Sequence, residues 1–362
     1  MSGGRAEMNI TRVSNKLVSL MLLALSLVET PGAFAWGNEG HTYINRVAAQ
    51  KIPADMPRFL RRAAAEIAYL GPEPDRWRNP AEAALKNSQE PDHFIDLERV
   101  DWLNPLPPVR YEFYRKLYEK RAAEMHRSDN DRPSNDHPAN DHPDNDRPKN
   151  DRPKNDHPNN DHPNHDLADD YLPERVGLQP YIVAEIYGRL KSSFREYRSL
   201  RAAHQPTASV QQAIIFYAGW LGHYVADGSQ PLHTTIHYNG WVGPNPKQYT
   251  TEHGIHSQFE TKYVAQNITA KDFAGFVHAP EHLTDQFGQY VRYLRDSNQL
   301  VEDVYALEKA GGFNGKGSPQ AFEFTTHRLA AGSQMLLNLW YSAWLDSATP
   351  DAPAATVPPA QK

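Results

Sequence analysis

Cysteine is absent from all 362 residues, which excludes a disulfide scaffold and any thiolate-bound metal. An excess of charge is missing too. With 38 Lys+Arg against 44 Asp+Glu the formal charge is -6, so the chain lacks the basic footprint of proteins that grip duplex nucleic acid through many phosphates. Any phosphate recognition is therefore local. No apolar run reaches the roughly 20 residues of a spanning helix; Leu17–Val28 is the nearest, and it is short. Alternating strand pairs are lacking as well. What the chain has in unusual supply is histidine, 17 in all, the side chain most used for metal ligation and for proton transfer near neutral pH.

The first 35 residues read as an export signal. Arg5, Arg12 and Lys16 precede the apolar run, and the small-x-small tripeptide Ala33, Phe34, Ala35 follows it. Cleavage is expected after Ala35, giving a secreted or periplasmic protein that begins at Trp36. An exported chain without disulfides gains from another cross-link, and bound metal serves in an oxidising compartment.

Apolar residues recur with helical period over residues 42–52, 55–70, 110–127, 179–202, 208–227, 281–309 and 319–346, which predicts an all-α fold. One multi-helix domain is expected over residues 36–347. The face formed by Ile214, Ile215, Tyr217, Ala218, Leu221 and Val225 reads as core. Within residues 130–166 the pentapeptide N-D-[R/H]-P-x repeats seven times from Asn130 to Asn164. Proline at every fifth position forbids a helix there, so a disordered or extended insert is expected. Its His137, His142, His157 and His162 alternate with carboxylates and could collect metal weakly. Residues 348–362 read as a flexible tail rich in Pro and Ala.

The remaining histidines fall into a ligand pattern. In G-H-Y-V-A-D-G-S-Q-P-L-H, His223 and Asp227 are four apart and share one helical face, while Pro231 ends the helix and presents His233. An isolated H-x-x-x-D pair reads first as a surface ion pair; the third ligand-type residue turns the reading to metal. His256 and Glu260 repeat the four-residue spacing in H-S-Q-F-E. Imidazole with carboxylate suits zinc, which keeps an open position in catalytic sites. Upstream, D-H-F-I-D holds His93, with Asp92 and Asp96 as further candidates. At the expected cut, W-G-N-E-G-H offers the freed amino group and carbonyl of Trp36, with His41 one helical turn away.

In order, W-G-N-E-G-H, the D-R-W-R around Asp75, H-F-I-D, H-Y-V-A-D-G-S-Q-P-L-H and H-S-Q-F-E resemble the signature of the trinuclear zinc phosphoesterases. That superfamily joins single-strand-specific nucleases of the S-one/P-one type to bacterial zinc-dependent phospholipases C. The resemblance implies three zinc ions. Asp75, His93, His223 and Asp227 would hold one; Trp36, His41 and a shared Asp227 the second; His233, His256 and Glu260 the third. It also implies that Asp75 orients or deprotonates an attacking water. The Trp36–His41 spacing, the surroundings of Asp75 and Phe94, where nucleases keep a base-stacking aromatic, favour hydrolysis of single-stranded DNA or RNA, and of nucleotide 3′-phosphates. Glu260, where nucleases have Asp and phospholipases Glu, and the stretch T-T-I-H-Y-N-G-W after His233 point instead to phosphatidylcholine-type lipids. Ala226 replaces the Gly common in that helix. Tyr238, Trp241 and Tyr249 would flank the cleft in either case, and His237 and His253 read as loop residues. A non-enzymatic alternative is a periplasmic metal-binding protein whose active part is the repeat. No stable protein partner is expected.

Overall fold

A computed structural model describes residues 36–130 and 167–348. The expected export signal, the repeat insert and nearly all of the tail lie outside the described residues. The described chain is all-α. Its helices of seven residues or more are α1 (Gly37–Gln50), α2 (Ala64–Leu70), α3 (Ala83–Gln89), α4 (Arg110–Asn130), α5 (Gln179–Ala202), α6 (Ala208–Ser229), α7 (Gln286–Asn298), α8 (Val301–Lys309) and α9 (Pro319–Asp346). No strand occurs among the described residues; Tyr238 and Gly240 form an isolated bridge.

Each stretch of apolar periodicity is helical, α3 lies outside those stretches, and two stretches are divided. Residues 55–70 divide into Arg58–Arg62 and α2. Residues 281–309 divide into α7 and α8 at Gln299 and Leu300, because the apolar pattern runs on through a turn that brings Leu294, Val301, Val304 and Tyr305 into the same core.

At the centre lies α6, against α5, α9, α1 and α2. Its mean composition is apolar, and Ile214, Ala218, Leu221 and Val225 are buried, as their spacing requires. Each large apolar side chain sealed this way contributes about 1.5–3 kcal/mol. Close approach of α6 to α1 depends on glycine: a Cβ on Gly222 would lie 1.9 Å from Oδ1 of Asn45. Asn45, fully buried, donates from Nδ2 to the carbonyls of Ile67 (2.9 Å) and Gly219 (3.0 Å) and so ties α1, α2 and α6 together.

The last turn of a helix leaves carbonyls without an intrahelical donor. In α6 side chains from elsewhere take those of Ala226, Gly228 and Ser229 and add a second donor to those of Tyr224 and Val225. Tyr290 Oη donates to the Tyr224 carbonyl (3.2 Å), Tyr293 Oη to Val225 (2.8 Å), Trp36 Nε1 to Ala226 (2.8 Å), Ser297 Oγ to Gly228 (2.7 Å) and Arg328 Nε to Ser229 (2.9 Å). The end of α6 is thus a fixed platform, and it carries His223 and Asp227.

Candidate metal centre

Three groups of buried ligand-type side chains occur among the described residues: His41, His223 and Asp227; Asp75, His93 and His223; and His233, His256 and Glu260. The first two share His223 and form one five-residue cluster.

In that cluster the two oxygens of Asp227 face different partners. Oδ1 lies 3.4 Å from Nε2 of His41, whereas Oδ2 lies 3.1 Å from Nδ1 of His93 and 3.5 Å from Nε2 of His223. The His41 and His223 rings stack at 4.0 Å. Asp75, on the short helix Glu73–Arg76, places its oxygens 3.9 Å from Nε2 of both His41 and His223. His223 is oriented from behind by the carbonyl of Gly71, 2.9 Å from Nδ1, so its Nε2 turns to the cluster.

The second cluster is built where the turn after α6 meets a helical run at Ile255. His256 and Glu260 are on one face of that run, and residues Gln258–Tyr263 form a π-helical turn, a wider winding often found at functional sites. Glu260 Oε2 lies 3.0 Å from Nε2 of His256 and 3.5 Å from that of His233. The Nδ1 atoms of both rings face backbone carbonyls, that of His93 for His233 (2.8 Å) and that of Tyr238 for His256 (2.9 Å). A proton on each Nδ1 leaves a lone pair on each Nε2, and these nitrogens are 3.1 Å apart. Two lone pairs facing at that distance repel unless a proton or a cation stands between them. Because the His233 ring bonds to the carbonyl of His93, the two clusters share one framework.

Burial acts on every group. It raises the Asp75 carboxyl to about 7, against the pull of the Arg78 guanidinium 3.6 Å away, and it raises Asp227, helped by the charges of Asp75 and Glu260. Burial lowers His93 and His223 well below the ordinary imidazole value, with neighbouring cationic groups adding to the effect. In the second cluster burial is outweighed at two of the three groups: His256 and His233 hold the Glu260 carboxyl down at about 2, and Glu260 raises His256, whereas burial lowers His233.

The donor set fits divalent ions. His93 Nε2, Asp227 Oδ1 and Glu260 Oε1 are buried without a hydrogen-bond partner, a costly arrangement for a folded protein. Mixed imidazole and carboxylate donors, with no thiolate, are those zinc accepts.

The imidazoles and carboxylates that the resemblance assigns as ligands, His41, Asp75, His93, His223, Asp227, His233, His256 and Glu260, are all in one of the two clusters. Trp36 stands beside them. Its indole is fully buried and donates to Ala226 and, at 3.0 Å, to Ser229 Oγ, which anchors the residue to the turn that carries Asp227. Asp92 and Asp96 are not in the clusters; Arg110 and Arg99 pair with them at 3.5 and 2.9 Å. Phe94 is half-buried and packs against Gly177, where a Cβ would come within 2.8 Å of its ring. His237 stacks on Trp241 at 3.9 Å and accepts from the Val242 amide, a loop role; His253 is exposed. Tyr249 is buried, whereas Tyr238 is exposed beside the His256 ring. Sequence reasoning missed Arg78 as a separate contributor, although its place three residues after Asp75 in D-R-W-R was a signal. It also missed Gln230, which donates to Glu260.

No sequence family and no curated protein matches the chain. Among solved structures it is similar to the alpha-toxin of Clostridium perfringens from an avian strain, with a TM-score of 0.35 and 13% identity over 88% of this chain. The chain spans 66% of the length of that protein. The fold and the centre rest on the geometry of this chain itself.

Proposed function

We propose that the chain is a zinc-dependent hydrolase of phosphoric esters. The observation that carries this reading is the Asp227 carboxylate, fully buried and divided between His41 on one side and His93 and His223 on the other, the placement of a carboxylate shared by two ions. Bound zinc there supplies Lewis acidity, which lowers the pKa of water and polarises a phosphoryl oxygen.

The chain's own residues supply the rest. Asp75, at the edge of the first cluster and beside Arg78, is placed to orient an attacking water and to accept its proton. Arg78 is beside it and only 19% exposed, placed to hold a phosphoryl oxygen by a planar, charge-assisted bond. Trp36, whose main chain is the ligand the family resemblance implies, is held by its indole to Ala226, beside the residue that carries the shared carboxylate.

Of the two substrate classes, phosphatidylcholine-type phospholipid has the added support of the site. Glu260, the residue of the phospholipase pattern, is fully buried between two imidazoles, and the rim beyond His256 exposes Tyr238 and Val242, apolar surface suited to a lipid interface. Single-stranded nucleic acid, favoured by the sequence pattern, rests on Phe94 and the setting of Asp75 and gains nothing from the packing of Phe94. We retain export to the periplasm or medium in the proposal, and no helix among the described residues is long and apolar enough to cross a membrane.

Hydrolysis assays on phosphatidylcholine, single-stranded DNA and RNA, before and after chelation, test this reading. The expected result is chelator-sensitive release of the phosphorylated headgroup. Cleavage of nucleic acid alone would restore the nuclease branch, and no hydrolysis by zinc-loaded protein would overturn the proposal. The metal-binding alternative predicts that deleting residues 130–164 abolishes metal uptake; the enzyme reading predicts that activity survives.

A further inference from the structure

Gln230 follows the last residue of α6 and is fully buried. Both ends of its carboxamide are engaged. Nε2 donates to Oε2 of Glu260 at 2.9 Å, and Oε1 accepts from the amide of Leu232 at 2.6 Å. Leu232 directly precedes His233, so one side chain holds Glu260, 30 positions away, directly and the residue next to His233 as well. The amide of His233 in turn donates to the main-chain carbonyl of Gln230 at 3.0 Å.

Carboxamide chemistry makes this grip directional. A neutral N–H donor on Oε2 stops the carboxylate from rotating, and it does so without adding a charge that would compete with a cation for Glu260. Oε1 of Glu260 keeps no protein hydrogen bond. A glutamate in place of Gln230 would keep the acceptor for Leu232 and present a repelling oxygen to Glu260. A methionine would match the length and offer neither bond.

We propose that Gln230 is the positioning residue of the second cluster: it fixes the Glu260 carboxylate and the His233 turn in the register that binds one metal ion, without itself touching the ion. This rests on the reading of the clusters as metal sites. Outer partners of this kind typically set metal affinity by about 10–100-fold.

The test is a zinc titration of the metal-free full chain against a chromophoric chelator, comparing wild type with Gln230→Glu and Gln230→Met. One ion is expected to weaken by about 10–100-fold in both variants, while the remaining ions bind as in wild type. In a Glu260→Gln background, Gln230→Glu, which keeps the acceptor for Leu232, should add no further loss. A merely structural role would lower thermal stability and weaken all ions together, and that outcome, or unchanged affinity in both variants, overturns the proposal. Hydrolysis is followed on the same samples. A wild type that binds ions but cleaves no phosphoric ester would refute the proposed function while the Gln230 comparison still stands.

Discussion

The two clusters are made of the same donors, yet they handle burial in opposite ways. Around Asp227, burial pushes Asp75 and Asp227 up and His93 and His223 down, so these four groups are driven towards their neutral forms. Around Glu260, the carboxylate stays ionised at about 2 because His256 carries the compensating charge. The first cluster is thus an electrostatic deficit that only a cation or protons can fill. The second closes on itself as a buried ion pair when no ion is bound. The same donor types therefore give one site that protons or a cation must neutralise and one that carries its own compensating charge.

The sharpest way to break this contrast is substitution of the shared carboxylate. Asp227→Asn is expected to lower hydrolysis by more than about 100-fold, beyond the usual cost of an outer-shell change, and to reduce the bound zinc measured by elemental analysis by more than one ion. If most activity survives, Asp227 is not shared. Glu260→Asp shortens one oxygen ligand and keeps the charge, so a loss of about 10-fold is expected. A larger loss than for Asp227→Asn would reverse the ranking of the clusters.

Metal-free protein should show the contrast in its pH dependence. Asp75 is raised to about 7 in the fold, against an ordinary value of 3.8. Between those values the folded state holds a proton that the unfolded chain releases, so stability falls as pH rises from about 4 to 7, by up to about 4 kcal/mol from this group. Glu260 has the opposite sign: with its carboxyl lowered to about 2 in the fold, its contribution is present above about 4.5 and is lost on acidification through 2. Zinc should raise the melting temperature more at pH 7 than at pH 5. An equal rise at both would mean that Asp75 is ionised without metal.

The smallest expected effects lie at the rim. Tyr238→Ala should raise KM for a lipid substrate severalfold with little change in kcat, and Phe94→Ala should leave lipid hydrolysis unchanged. A fall in kcat for either would move that side chain to the reacting centre.

Much of this arrangement was legible before any coordinates. The four-residue spacings of His223 with Asp227 and of His256 with Glu260 carry helix geometry directly, and Pro231 marks where α6 stops. Other parts depend on partners distant in sequence. Asp92 and Asp96 look like ligands beside His93 until Arg110 and Arg99 claim them. The π-helical turn over Gln258–Tyr263 follows from packing, with Phe259 and Tyr263 buried against Phe313, and has no local signature. The division of α7 from α8 is hidden because the buried positions keep one period across the turn. Gln230 reads as an ordinary polar residue before a proline, and only the approach of Glu260 from 30 residues away gives its carboxamide a task.

The most direct test is a crystal structure of zinc-loaded protein with anomalous data on both sides of the zinc edge. Separate peaks are expected within the Asp227 cluster, on its His41 and His93 sides, and another among His233, His256 and Glu260. An absence of peaks, with the His233 and His256 nitrogens still facing each other near 3.1 Å, would contradict it.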